Sequence, residues 1–151
     1  MPDNTKAMSL YARALLVTED IENYRRAFKL SSTSCSKSEP YGCLILSAIY
    51  ERGLDLDRDF KKSFEYTEKG CSIGSIQLCV QLGWDYWNGR GTSINQDKAL
   101  YYFQNGCNEG YGYGYNGVGV IYSSTSFEEK NYDLEKRLSN QPVIMKFYLH
   151  V

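Results

Sequence analysis

From residue 42 the chain sets apolar side chains at Leu44, Ile45, Ala48 and Ile49, the spacing of one helical face, and meets Gly53 after the last of them. This pattern predicts a first helix, A, over residues 42–52. The loop LDLDR then leads to Asp59 and the run FKKSFEYTEK, with Phe60, Phe64 and Thr67 on one side and Gly70 at the end. A second helix, B, is predicted there, capped by Asp59 and closed by Gly70. The next stretch reads the same way, with Val80, Trp84 and Trp87 in a helix A, the Gly-rich loop NGRGTSINQ, and DKALYYFQN in a helix B.

This recurrence has a fixed period. Cys35, Cys71 and Cys107 stand 36 residues apart, and Cys43 and Cys79 keep the same interval. Sliding the chain by that amount aligns RRAFKLSSTSC (25–35), KKSFEYTEKGC (61–71) and DKALYYFQNGC (97–107). It also aligns Tyr50 with Tyr86 and Tyr122, Phe28 with Phe64 and Leu100, Gly53 with Gly89, Gly70 with Gly106, and Asp59 with Asn95 and Asn131. Each period is therefore one helix-turn-helix unit, and units begin near residues 5, 41, 77 and 113. A single helix pair cannot bury its apolar face, so the units must stack. The expected fold is all-α: a superhelical solenoid of about three and a half units over residues 5–133.

The fourth unit opens regularly, with YGYNGVGVIYS as helix A and EEKNYD as the approach to helix B. Beyond Asp133 the apolar column instead holds Glu135, Lys136 and Arg137, and the chain ends in QPVIMKFYLHV. Two readings of the tail 134–151 compete: a degenerate cap, which repeat arrays need, or the product of a frame change in the coding sequence. The apolar ending favours the second, because a cap presents a polar outer face.

Composition narrows the partners. Seventeen Lys plus Arg stand against eighteen Asp plus Glu in 151 residues, a net charge of −1, which gives no electrostatic footprint for nucleic acid. No run of eighteen apolar residues predicts membrane insertion, and the opening MPDNTKAMSLYARALLVTED lacks the regions of a signal peptide. Fourteen Tyr and two Trp supply large contact area at low entropic cost, suited to packing and to binding alike.

Leu82-Gly83-Trp84-Asp85-Tyr86, Gly89-Arg90-Gly91, Asn95 and Lys98-Ala99 together resemble the Sel1-like repeat, a relative of the tetratricopeptide repeat. The Cys-x7-Cys spacing is similar to that of the Helicobacter-type cysteine-rich subfamily. Three positions depart from the pattern: Ser47 replaces a Gly, and Ala7 and Tyr115 stand where cysteines would be. The resemblance implies disulfides Cys35–Cys43 and Cys71–Cys79, each across the turn between successive units, and leaves Cys107 as a free or intermolecular thiol. Closing such a nine-residue loop stabilises by roughly 2–3 kcal/mol on the chain-entropy model. Disulfides imply an extracytoplasmic, periplasmic or secreted, location. Five buried reduced cysteines in a cytoplasmic protein are the alternative. Cys-x7-Cys fits neither zinc-knuckle nor Cys-x-x-Cys redox spacing, so no metal and no cofactor is expected.

Catalytic candidates are few. The single His150 lies in the tail, which excludes Ser-His-Asp and Cys-His sites. The resemblance implies one enzymatic alternative, a weak β-lactamase or penicillin-binding activity, and Ser34-x-x-Lys37 nominally matches the Ser-x-x-Lys of such enzymes. Ser-Asp-Asn and Lys-Thr-Gly are missing, however, and SSTSCSKS reads as a turn. Gly110-Tyr-Gly-Tyr-Gly reads as the turn into the fourth unit rather than a dinucleotide site. Asp55, Asp57 and Asp59 lack the Gly and terminal Glu of a calcium loop. By the same resemblance the A helices line a concave face that binds a protein or peptide. Mapped here, that face comprises Tyr41, Leu44, Glu51, Arg52, Gln77, Trp84, Trp87, Asn88, Tyr113 and Asn116. Trp84 and Trp87 are candidates for an aromatic anchor, with Trp87 the more exposed because Tyr86 already fills the core column.

Overall fold

The structure, a computed structural model, describes residues 4–124. These residues form seven helices and no strand: α1 (Thr5–Leu15), α2 (Ile21–Ser36), α3 (Pro40–Arg52), α4 (Phe60–Ser72), α5 (Ile76–Asn88), α6 (Gln96–Asn108) and α7 (Gly112–Ser124). Helices A are α1, α3, α5 and α7; helices B are α2, α4 and α6. Each helix packs on the next in sequence, and the A helices approach one another (α1 on α3, α5 on α7) more closely than any two B helices do. EEKNYD and the tail 134–151 fall outside the described residues.

Side chains begin the helices as the polar pattern requires. Asp20, Glu39, Asp59, Ser75 and Asn95 each accept a hydrogen bond from a backbone N–H in the first turn, from Glu22, Gly42, Lys62, Leu78 and Lys98 respectively. Such caps satisfy donors that have no partner within the helix. Gly53 and Gly89 end α3 and α5 in the left-handed region, at φ 71° and 69°. In both following loops a backbone N–H reaches back to the repeated tyrosine: Asp59 N donates to Tyr50 O and Asn95 N to Tyr86 O, each at 2.9 Å.

Tyr50 and Tyr86 hold the units together through one repeated assembly. Phe28 meets Tyr50 edge-on at 6.0 Å between centroids, Tyr66 stacks on Tyr50 at 5.6 Å, and Lys62 Nζ lies 5.2 Å from the Tyr50 ring. One period later Phe64, Tyr102 and Lys98 take the same places around Tyr86, at 5.4, 6.0 and 4.8 Å. Aromatic pairs of this kind add about 0.5–1.5 kcal/mol each beyond the area they bury.

Helix B differs from its expected form in two respects. Gly70 does not close it; α4 runs on to Ser72 and α6 past Gly106 to Asn108. These glycines are needed for close approach, because a Cβ on Gly70 would lie 2.0 Å from Leu78 Cδ1 and one on Gly106 2.4 Å from Val80 Cγ2. The buried line of α4 is Ser63, Thr67 and Gly70, whereas Phe60 is exposed beneath the Arg58 guanidinium. An aromatic ring at the first helical position extends past the last turn of the core and covers the cation instead.

Candidate functional site

Both expected disulfides are present, Cys35–Cys43 and Cys71–Cys79, each joining the end of one helix B to the start of the next helix A. Cys107 is a free thiol buried in the core, and burial pushes it up to about 11. At the position where its partner would stand, the Tyr115 hydroxyl donates to the Cys107 carbonyl at 3.0 Å.

Ser34 lies inside α2, not in a turn, and is fully buried. Its hydroxyl donates to the Ser31 carbonyl at 3.2 Å and sits 2.9 Å from Ser9 Oγ, which is itself 2.6 Å from Glu39 Oε2. By the 36-residue period Ser34 occupies the column of Gly70 and Gly106, and it faces Gly42, whose Cβ would lie 2.1 Å from Ser34 Oγ. The packing is complementary: Ser against Gly, then Gly70 against Leu78. Ser34 thus fills space beside a disulfide, and it lacks the access that acylation by a β-lactam requires.

The acidic loop resolves into separate roles. Asp59 caps α4, and Asp55 pairs with Arg25 at 2.7 Å. Among the described residues no group of three His, Cys, Asp or Glu side chains converges as a metal site. No described helix is long and apolar enough to cross a membrane.

Four of the ten residues expected on the concave face share one groove. Tyr41, Leu44, Arg52 and Gln77 line a cavity of about 720 Å³ together with Arg13 of α1, Leu16 and Val17 just after it, and Ile45 of α3. Leu16, Val17, Leu44, Ile45 and Ala48 line it beside Arg13, Glu19, Arg52 and Gln77, and its volume falls within the roughly 300–1,000 Å³ typical of a ligand site. The Arg13 guanidinium donates to the Tyr41 hydroxyl and lies 5.9 Å from the centre of that ring.

The other six lie elsewhere. Trp84 and Trp87 are both half-buried against the core of the third unit, and the Trp84 ring is 4.8 Å from Phe103. Asn88 is exposed and donates back to the Trp84 carbonyl at 2.9 Å. Tyr113 and Asn116 are exposed on α7. Glu51 accepts from Arg90 at 2.7 Å, an ion pair that ties the second unit to the third.

Arg90 also approaches a carboxylate missed in the sequence reading. Asp85 is only 5% exposed, with Arg90 Nε at 3.6 Å and Gln81 Nε2 donating at 3.2 Å. Burial pushes its pKa up to about 6; the Gln81 hydrogen bond and Arg90 oppose this, and Glu51 adds to it. Asp85 belongs to a column that otherwise reads Arg13, Ile49 and Ile121, so alignment by period alone marks both Arg13 and Asp85 as polar exceptions.

The comparisons with known proteins agree with this geometry. The family model described as Sel1 repeat matches residues 40–75 and 77–111. The chain is similar to cytochrome c oxidase assembly factor 7 of Xenopus tropicalis, 29% identical over 84 residues that make up 55% of this chain and 36% of that protein. It is also similar to cytochrome c oxidase assembly factor 7A of Xenopus laevis, 31% identical over 67 residues, 44% of this chain and 29% of that one. The match spans about a third of the length of these curated relatives. A protective antigen of uropathogenic Escherichia coli with an SLR fold superposes with a TM-score of 0.77 at 16% identity, covering 97% of this chain and 32% of that one. Helicobacter pylori cysteine-rich protein B does so with a TM-score of 0.60 at 23% identity, covering 78% and 94%. With its 36-residue helix pairs, its inter-unit disulfides and two matched repeats, the chain carries Sel1 repeats over residues 40–75 and 77–111.

Proposed function

We propose that this chain is an extracytoplasmic scaffold that binds a protein or peptide segment along the concave face of its A helices. The observation that carries the reading is the groove that unites Tyr41, Leu44, Arg52 and Gln77 along the A helices of the first three units. Two disulfides between units support an oxidising location. The relatives named as assembly factors are consistent with a role exerted on other proteins rather than on a small substrate.

The test is selection from a library of random seven-residue peptides displayed on phage, using the disulfide-bonded protein as target. Binding to the parent should be lost in Leu44→Lys while helix content and thiol count stay unchanged. Peptides that bind the variant as well as the parent would retire the groove.

A further inference from the structure

We infer that the groove along α3 takes an extended, acidic peptide segment of about five residues, with an apolar side chain seated between carboxylates. This rests on the groove being the binding face and adds the chemistry of its occupant.

The first ground is charge. Arg13, Arg52 and Glu19 are the ionised side chains that line the groove, two cations against one carboxylate, in a chain whose net charge is −1. Several cations elsewhere on the array are engaged: Arg25 with Asp55, Arg90 with Glu51 and Asp85, and Lys62 and Lys98 over the tyrosine rings. Among the described residues neither Arg13 nor Arg52 has a carboxylate partner. Arg13 is instead held in place by the Tyr41 hydroxyl and ring, which fixes its guanidinium at the groove before any ligand arrives. A planar guanidinium held in this way is preorganised for the two oxygens of a carboxylate.

The second ground is shape and surface. From Tyr41 to Arg52 the groove follows α3 for about 16 Å at the helical rise of about 1.5 Å per residue. An extended chain covers that length in about five residues. Leu44, Ile45 and Ala48 lie between those two ends, and Val17 at the edge is 79% exposed. Leu44 and Ala48 are half-buried there over the buried Ile45, and a partly open apolar strip flanked by cations is complementary to a segment with the opposite arrangement, acid, apolar, acid.

The experiment takes the strongest groove-binding peptide from the library above and a synthetic twin in which every Asp and Glu is replaced by Asn and Gln. Both are titrated by fluorescence anisotropy against the parent chain, Arg52→Ser and Arg13→Ser/Arg52→Ser, at low and high salt. The expected result is an acidic peptide whose affinity falls about tenfold in the amide twin, and by a similar factor in the double variant and at high salt. A groove-binding peptide without acids, or one whose affinity is indifferent to the arginines, would overturn the inference and leave the groove as a binding face. If no library peptide depends on Leu44, both readings fall together. Arg52 is exposed and outside the core, so its substitution leaves folding intact.

Discussion

Asp85 occupies the core column in which Ile49 sits one unit earlier. The two side chains face the same interior, yet one is an ionisable group whose pKa is pushed up to about 6, mainly by burial. Its folded-state pKa lies above the unfolded value, so the folded state binds the proton more tightly. Asp85 therefore costs nothing at low pH and destabilises increasingly as pH rises from about 4 to 6, reaching about 3 kcal/mol above that window. Asp85→Ile should be more stable than the parent by urea unfolding, with an advantage that grows by about 2 kcal/mol between pH 4.5 and 7.5. Arg90 keeps Glu51 as partner in the variant. A pH-independent difference would show that Asp85 is held ionised by Arg90 without net cost.

Ser47, Ser63 and Thr67 form a buried hydroxyl cluster, with Ser47 Oγ 3.0 Å from Ser63 Oγ and 2.8 Å from Thr67 Oγ1. One period later the same three places hold Gly83, Ala99 and Phe103, and a Cβ on Gly83 would meet the Phe103 ring at 2.7 Å. Small and large residues are exchanged across a constant volume. Thr67→Phe alone should therefore overpack and destabilise by about 1–3 kcal/mol, and adding Ser47→Gly should recover at least 1 kcal/mol. Additive effects in the double-mutant cycle would remove the compensation argument.

Ser38, Gly74 and Gly110 share one position in the turn between units, and all three have left-handed backbone, at φ 61°, 102° and 72°. Only the first bears a Cβ, which costs about 1 kcal/mol there. Ser38→Gly should raise thermal stability by a few degrees in a calorimetric scan. An unchanged or lower midpoint would mean that the side chain contributes more than the strain removes.

Most of this fold was legible because a repeat states each constraint several times. The cysteine interval gave the period, and Asp59, Asn95, Gly53 and Gly89 marked helix ends that the structure reproduces. Gly70 misled because a glycine near a helix end reads as a stop, whereas here it lets α5 approach, a tertiary fact invisible along one helix. Ser34 misled for the same reason. Part of the groove's lining was legible: Tyr41, Leu44 and Arg52 of α3 were among the mapped positions, but Arg13 reaches in from α1, and no pattern within α3 announces it. Trp84 and Trp87 share a helix face whose use depends on the neighbouring Phe103, which periodicity alone does not supply.

A thiol count provides the fourth test. Alkylation of the native protein should block nothing, since Cys107 is buried and its ionisation is disfavoured. Alkylation after denaturation without reductant should block one thiol, and after reduction five. Replacing Cys71 and Cys79 together by Ser should lower stability by about 2–3 kcal/mol. Reaction of Cys107 in the native state would mean that the third and fourth units separate readily.

The two disulfides span the handover from one unit to the next, and neither lies within a helix pair. Pulled from its ends, the described chain would surrender helices and inner loops, but at each handover two residues eight apart in sequence would stay covalently joined. Those two junctions behave as knots on a rope: the cord between them lengthens while the knots keep their order. When tension is released, α2 still adjoins α3 and α4 still adjoins α5, so refolding restarts from neighbours already in place.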